Sequence, residues 1–135
     1  MTTVFTKSYT ALPEHIDELE HVNNAVWVQW VQDLATSHWA AVADPAHVDA
    51  YYWVVVRHEI DYRGNIVAGD SVTGTTWIEG PPRGATSLRR IEFRDAAGKV
   101  IVAATTTWAM MDRASGRLAR VRPEVIAPFL MDGAN

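Results

Sequence analysis

Residues 17–42, DELEHVNNAVWVQWVQDLATSHWAAV, place an acidic stretch directly before a long helical pattern. From Val22 onward the apolar residues recur every three or four positions, which is the period of an α-helix. One row contains Val22, Val26, Trp30 and Leu34, and the adjacent row contains Trp27, Val31 and Ala35. The stripe is wide and rich in tryptophan, as expected for a helix that is covered on most sides. We therefore predict one long helix over residues 22–42, ended by Asp44-Pro45 because proline disfavours helix at the residue before it.

The remaining sequence alternates with the two-residue period of β-strands. Strands are predicted at residues 4–9, 52–62, 71–79, 86–94 and 99–111. Glycine and proline mark the turns between them, and the strongest such signal is Gly80-Pro-Pro-Arg-Gly84. A connector is predicted at residues 46–50, and a short last helix at residues 123–127, with proline at its first position.

Two of the predicted strands have informative faces. On residues 52–62, one face is expected to carry Val54, Val56, His58, Ile60 and Tyr62. On residues 99–111, one face is apolar and the other is built of small residues, so a second element or a second subunit could approach it closely. One helix followed by four β-segments indicates an α+β fold, with an antiparallel meander that curls round the helix. We predict a single domain over residues 1–135.

The composition excludes several classes of protein. Apolar residues make up 48% of the 135 residues and charged residues 21%, which is ordinary for a soluble globular domain. No run approaches the roughly 18 apolar residues of a membrane helix, and the N-terminus lacks a signal-peptide pattern. We therefore expect a cytoplasmic protein that does not associate with membranes. The absence of cysteine excludes disulfides and thiolate metal sites.

The charge distribution limits the choice of partner. A net charge of −4 argues against nucleic acid, because a phosphate backbone requires a basic surface. From Arg83 onward, however, the bases are eight arginines and one lysine. Arginine binds phosphate in a bidentate geometry, so this region is compatible with a phosphorylated small ligand. Solvated strand faces and turns are the alternative explanation.

The segment from Asp17 to Asn24 combines a carboxylate, an imidazole and two amides at the start of the helix. Asparagine is a preferred N-cap residue, and a helix start presents free N–H groups and partial positive charge to an oxyanion or polarised carbonyl. A carboxylate at Asp17 could therefore face an electrophile held on those amides, which favours attack on an acyl group. Asp17 could equally be a solvated acid that interacts with the helix dipole, and His21 a capping or surface residue.

The other histidines and the serines are weaker candidates for catalysis or metal binding. His58 is expected to be a satisfied core or interface residue, whereas His15, His38 and His47 have no ligand-like partners. No set of histidines and acids has the spacing of a metal site, so no metal is predicted. The serines lie in no nucleophile-elbow context, which makes a serine hydrolase an unlikely class.

Taken together, these segments resemble the hotdog-fold acyl-CoA thioesterases, in particular the 4-hydroxybenzoyl-CoA thioesterase type. The segments that carry the likeness are Asp17-x-x-x-His-Val-Asn-Asn24, the aromatic helix, His58-Glu-Ile-Asp-Tyr62 leading to Gly69-Asp70, and Ala104-Thr-Thr-Thr-Trp108 running into Asp112. The His-Val-Asn-Asn segment is also similar to that of acyl-ACP thioesterases. The resemblance implies a long helix wrapped by a curved antiparallel sheet, a homodimer or homotetramer, and no cofactor or metal.

The resemblance further implies that the protein hydrolyses an acyl-CoA to a free acid and CoA. Asp17 corresponds to the carboxylate that attacks the thioester or activates water. The N–H of Asn24 would polarise the carbonyl, and His21 would orient substrate or water. The predicted substrate-binding residues are Asn23, Trp27 and three surface arginines, Arg89, Arg90 and Arg117.

Two positions depart from the family pattern. Many relatives have glycine where this chain has Glu20, and acyl-ACP enzymes often have asparagine where it has Leu19. Two alternative functions therefore stand beside acyl-CoA hydrolysis. One is hydrolysis of a thioester on an acyl carrier protein, and the other is a non-catalytic acyl-CoA-binding module.

Overall fold

The computed structural model describes residues 4–130, so residues 1–3 and 131–135 of the predicted domain lie outside it. The strands are β1 (Phe5–Thr10), β2 (Tyr51–Tyr62), β3 (Ser71–Arg83), β4 (Thr86–Arg94) and β5 (Val100–Asp112). The α-helices are α1 (Asn24–Val42), α2 (Pro45–Ala50) and α3 (Pro123–Leu130), and one 3-10 turn covers Pro13–His15. The predicted long helix, five strands and last helix are all confirmed, with α3 three residues longer than expected.

The five strands form one sheet in the order β1-β3-β4-β5-β2, and all neighbouring pairs are antiparallel. Strands β3, β4 and β5 follow one another through short turns and make a meander. Strand β2 pairs only with β5 and therefore forms one edge of the sheet. This arrangement confirms the predicted α+β class with an antiparallel sheet.

Helix α1 begins at Asn24, two residues later than predicted, because Asn23 caps it, and the helix packs along the sheet. The side chain of Asn23 accepts a hydrogen bond from the N–H of Ala25 at 2.8 Å, which satisfies one of the free donors of the first turn. Gly74 of β3 lets the helix approach, because a Cβ there would lie 2.9 Å from side-chain atoms of both Leu34 and Phe93. The helix therefore rests directly on the middle of the sheet.

The core has two parts along α1. The part near the helix start joins Trp27, Val31 and Leu34 to the sheet residues Ile91 and Phe93. The second part lies near the helix end, where residues of α3 pack with β3 and β5. Its buried members are Ala43, Ile78, Met110, Val121, Val125, Ile126 and Phe129.

Three local predictions are wrong. The connector at residues 46–50 is helix α2, because Asp44 caps it by accepting from the N–H of Ala46 at 2.9 Å and Pro45 occupies its first position. The segment Gly80–Gly84 is not the turn. Strand β3 continues to Arg83, which pairs with Thr86 across Gly84 and Ala85. The register shifts between Glu79 and Arg83, so the prolines are accommodated at an irregularity.

The predicted face of β2 is also wrong. The pairing with β5 shifts between Val55 and Arg57, which leaves Val56 as an extra residue on this strand. Such a bulge reverses the alternation of side chains beyond it. Val54 and Val56 are therefore 39% and 61% exposed, whereas His58 turns toward α1 and is half-buried.

No helix within residues 4–130 combines the length and hydropathy needed to cross a membrane.

Candidate active site

A tight loop precedes α1 and holds the predicted catalytic residues together. Ile16 and Val22 form an antiparallel bridge. Inside it, the N–H of Asp17 donates to the carbonyl of His21 at 2.9 Å, and the N–H of Glu20 donates to the carbonyl of Asp17 at 3.0 Å. The loop from residue 16 to residue 22 is therefore closed on itself and holds the backbone of Asp17 against His21, three residues before α1 begins at Asn24.

The carboxylate of Asp17 is oriented by its own loop. Its Oδ1 accepts a hydrogen bond from the N–H of Leu19 at 2.9 Å. The residue is half-buried, whereas Glu18, Leu19 and Glu20 are exposed. One carboxylate oxygen is thus held in place, and the other has no hydrogen bond to the residues that the structure describes. An oriented, accessible carboxylate is what a nucleophile or general base requires.

The first turn of α1 offers a free backbone donor. The N–H of Ala25 is taken by the Asn23 side chain, and the N–H groups of Val26 and Trp27 point to the carbonyl of Asn23. The N–H of Asn24 is left without a partner among residues 4–130. A helix start with a free N–H stabilises negative charge that develops on an oxygen.

His21 is exposed, and its contact with the loop is through its carbonyl rather than its ring. The structure thus brings Asp17, His21, Asn23 and Asn24 to one loop–helix junction. Their catalytic and substrate-binding roles stay predictions.

The backbone of Glu20 explains one departure from the family pattern. Its φ is +62°, and it is the one non-glycine residue with positive φ in the described range. This left-handed conformation suits glycine, because glycine has no Cβ to clash with the neighbouring carbonyl. Glu20 therefore occupies a turn position for which glycine is the unstrained residue.

Two of the residues predicted to bind substrate are buried. Trp27 is 0% exposed and packs edge-on against Trp30 and Phe93, with ring centroids 5.1 and 5.3 Å apart. It belongs to the core because it lies on the sheet-facing row of α1, so a substrate does not reach it in this conformation. Arg89 is not a surface residue either, since it is 5% exposed on the inner face of β4.

The other two arginines do lie at the surface. Arg90 is exposed and forms an ion pair with Glu79 at 3.8 Å, and Arg117 is exposed in the loop after β5. Because successive residues of a strand point to opposite faces, Arg89 and Arg90 cannot contact the same nucleotide.

A cavity of about 260 Å³ opens at the other end of α1. Its walls come from the second half of α1, from α2, from the central strands and from α3. Its lining includes Trp39, Trp53, Ser87, Arg89, Trp108 and Phe129. None of residues 17–24 lines it. Asn24 and Trp39 are 15 positions apart in the same helix, a span of roughly 22 Å at about 1.5 Å per residue.

His38 lies beside this cavity. The sequence analysis predicted no partner for it, whereas the structure gives it one. It is buried, and its Nδ1 accepts a hydrogen bond from the Arg89 guanidinium at 2.8 Å. Burial and the positive charge of Arg89 lower the pKa of His38 to about 4. The sequence held a signal for its burial, because His38 continues the row of Trp30 and Leu34 at a spacing of four.

Within residues 4–130, no three histidine, aspartate or glutamate side chains come together in a group that could hold a metal ion.

Comparison with known proteins gives a family match over nearly the whole chain. The model of the acyl-ACP thioesterase N-terminal domain matches residues 2–129. A curated relative, the chloroplastic acyl-[acyl-carrier-protein] hydrolase FATB3 of Cuphea viscosissima, is 29% identical over 85 residues. That match covers 61% of this chain and 21% of the relative, so the chain spans about a fifth of the relative's length.

Solved structures share the fold. An acyl-ACP thioesterase from Bacteroides thetaiotaomicron superposes with a TM-score of 0.82 at 23% identity, over 96% of this chain and 54% of that one. The protein SAV2348 from Staphylococcus aureus, solved in complex with CoA, has a TM-score of 0.81 at 14% identity, over 95% and 82% of the two chains. These likenesses confirm the predicted hotdog thioesterase fold.

Proposed function

This chain belongs to the acyl-ACP thioesterase N-terminal domain family, and from that premise we propose that it hydrolyses an acyl thioester to a free acid and a thiol. The observation that carries the proposal is the loop–helix junction. There the Asp17 carboxylate is oriented by its own loop, and that loop leads into a helix whose first N–H, on Asn24, has no partner among residues 4–130.

The proposed reaction uses these two groups for different tasks. The thioester carbonyl oxygen would accept a hydrogen bond from the N–H of Asn24, which stabilises the negative charge of the tetrahedral intermediate. Asp17 would take a proton from a water molecule whose oxygen attacks the carbonyl carbon. When the C–S bond breaks, that proton passes to the thiolate, and the acid and the thiol leave. His21 would orient the water or the substrate.

Direct attack by Asp17 is the other version of the same proposal. The carboxylate would form a mixed anhydride with the acyl group and expel a thiolate, which takes a proton from solvent. Water would then hydrolyse the anhydride to the free acid and the Asp17 carboxylate. Label found in Asp17 after a single turnover in ¹⁸O-labelled water identifies direct attack. Attack of water on the aspartyl carbon of the anhydride puts label into Asp17, whereas general-base catalysis puts label only into the acid product.

The junction is open in a single subunit, because His21, Asn23 and Asn24 are all exposed. The hydrogen bond from the Asn24 N–H stabilises the negative charge of the intermediate more strongly when bulk water is excluded from the site. We therefore propose that a second copy of the chain covers the junction in a homodimer or homotetramer. The exposed valines on edge strand β2 support such an assembly.

The carrier of the acyl group has two candidates. Acyl-CoA is the substrate indicated by the sequence resemblance, and one structural neighbour was solved with CoA. Acyl carrier protein is favoured by the family match and by the curated relative. Both carriers are anionic, and four exposed arginines between residues 113 and 122 form no ion pair within the described range. Hydrolysis rates of matched CoA and carrier-protein thioesters distinguish the two.

The variant Asp17→Asn tests the mechanism. An asparagine side chain still accepts the hydrogen bond from Leu19, so the loop should keep its shape while the base is removed. We expect thiol release to fall by at least about 10²-fold, which is the lower range for loss of a general base, with acyl-CoA binding retained. Glu18→Gln, which removes the neighbouring exposed carboxylate, is the matched control and should keep full activity.

Two results would count against the proposal. Near-normal hydrolysis by Asp17→Asn would remove Asp17 from the mechanism. Saturable binding of acyl-CoA by the native protein without any thiol release, from either carrier, would instead indicate the non-catalytic binding module.

A further inference from the structure

Arg89 places a positive charge inside the protein without an acidic partner. Its NH1 group donates to Nδ1 of His38 at 2.8 Å and to Oγ1 of Thr76 at 3.0 Å. Both acceptors are neutral groups. No ion pair in the described range involves Arg89. A buried charge without a counter-ion is unfavourable, and a bound anion would offset that cost.

The side chain also borders the cavity at the end of α1. Arginine has five N–H donors in a planar fork and cannot accept. The two hydrogen bonds above involve one nitrogen. The guanidinium therefore has further donors beyond those that His38 and Thr76 occupy.

Other lining residues are hydrogen-bond donors too. The indole N–H groups of Trp53 and Trp108 and the hydroxyl of Ser87 are buried and have no partner among residues 4–130. Ser87 and Trp108 are directly paired across β4 and β5, and Arg89 is two residues from Ser87 on the same face. Indole can only donate, and a hydroxyl can donate. These groups form a donor set without a matching acceptor.

From this geometry we infer that the cavity is a binding site for a small apolar molecule that carries a carboxylate, with the carboxylate on Arg89. One planar anion with two oxygens matches one guanidinium fork. A phosphate group would bring up to two charges and three oxygens, whereas Arg89 is the one buried cation among the described lining residues. The other lining arginine, Arg113, is exposed and donates to the carbonyl of Tyr51 at 3.2 Å. The carboxylate therefore fits the charge of Arg89, and its oxygens can accept from the buried donors that have no partner among residues 4–130.

The remainder of the ligand must be apolar and small. The walls include Trp39, stacked on Phe129 with the planes 5° apart, and Trp53, edge-on to Trp39 at 5.5 Å. The cavity volume of about 260 Å³ lies just below the usual range for ligand pockets. A ligand of one or two fused rings, or a short acyl chain, is the class that fits. The site is separate from the Asp17 junction, and the inference does not depend on thioester hydrolysis.

Calorimetric titration of the native protein gives the first test. The probe is 2-naphthoate, and its neutral analogue 2-naphthylmethanol is the control of matched shape. We expect the carboxylate to bind about 10- to 100-fold more tightly, which is the usual effect of a charge-assisted hydrogen bond in a buried site. Octanoate against octanol repeats the comparison with a flexible apolar body. Equal affinity of acid and alcohol in both pairs, or no binding of either acid, overturns the inference.

Substitutions locate the binding to this cavity. Arg89→Met keeps an unbranched apolar side chain and should abolish the preference for the acid. Arg90→Met removes the neighbouring arginine on the opposite face and should leave the preference unchanged. Asp17→Asn should also bind 2-naphthoate like the native protein, so a failed thioesterase would not be confused with a failed binding site. Retention of the preference in Arg89→Met overturns the assignment, and if that variant does not fold, Arg89→Lys tests the same charge with a different geometry.

Discussion

The guanidinium of Arg89 donates to Nδ1 of His38 at 2.8 Å, so two basic side chains from β4 and α1 share one buried hydrogen bond. Because arginine can only donate, the imidazole accepts at Nδ1 and carries its proton on Nε2. Protonation of His38 would place two positive charges in contact in the core. Burial, together with Arg89, therefore lowers the pKa of His38 to about 4.

This pair makes stability depend on pH. The unfolded histidine has a pKa of 6.5 and the folded one about 4, so the unfolded state binds more protons between these values. The contribution of His38 to the free energy of unfolding is thus complete above the pKa of the unfolded histidine, and it decreases as the pH falls below that value. From about pH 7.5 to about pH 5, we expect the free energy of unfolding to decrease by about 2 kcal/mol from this group.

Urea unfolding of the native protein and of His38→Gln at both pH values measures this contribution. The glutamine variant should lose most of the pH dependence, although it is less stable at neutral pH. His21→Gln removes an exposed histidine and should retain the dependence of the native protein. An identical dependence in His38→Gln and the native protein would contradict the assignment.

Glu20→Gly is expected to stabilise the protein by up to about 1 kcal/mol, because glycine adopts the positive φ of this position without steric strain. Glu20 has φ of +62°. Thermal unfolding of the variant measures the gain. Glu18→Gly, at a neighbouring position without positive φ, is the control and should not stabilise. A lower melting temperature of Glu20→Gly would show that the side chain, rather than the backbone conformation, determines this position.

Gly74→Ala is expected to destabilise the protein by about 1–3 kcal/mol, as overpacking of a core does. The new Cβ would lie 2.9 Å from atoms of Leu34 and Phe93, so α1 would have to move away from β3. Chemical denaturation gives the magnitude. Thr73→Ala, at the adjacent exposed position of the same strand, should change the stability little. A neutral effect at Gly74 would mean that the helix and sheet can separate freely.

Val56→Lys is expected to weaken the proposed homodimer. The bulge in β2 leaves Val56 61% exposed on an edge strand, where a lysine would disfavour pairing with another copy. Size-exclusion chromatography with light scattering should show a smaller species and reduced thiol release. Leu118→Lys, which changes a 64% exposed residue in the loop after β5, should leave the mass unchanged. A native protein that is already monomeric would disprove the proposed assembly.

The sequence alone determined helix α1 and the five strands within residues 4–130. Helix α1 was predicted from the spacing of its apolar residues and from its asparagine cap, and the bounds of β4 were predicted correctly from alternation and the flanking turns. The acyl-transfer interpretation of Asp17 and Asn24 also depends on residues that are neighbours in the chain. These features are predictable because capping, turns and periodicity depend on side chains within a few positions of one another.

Tertiary structure alone decided which side chains of these elements are buried and which are exposed. The bulge at Val56 depends on pairing with β5, and the burial of Trp27 on the placement of α1 against the sheet. Arg89 and His38 are 51 positions apart, so their contact exists only once β4 and α1 have packed together. The alternation within a strand predicts an arginine at the surface, but the arginine can be buried when distant elements accept its hydrogen bonds. This is the physical reason why the cavity was not predictable from the sequence.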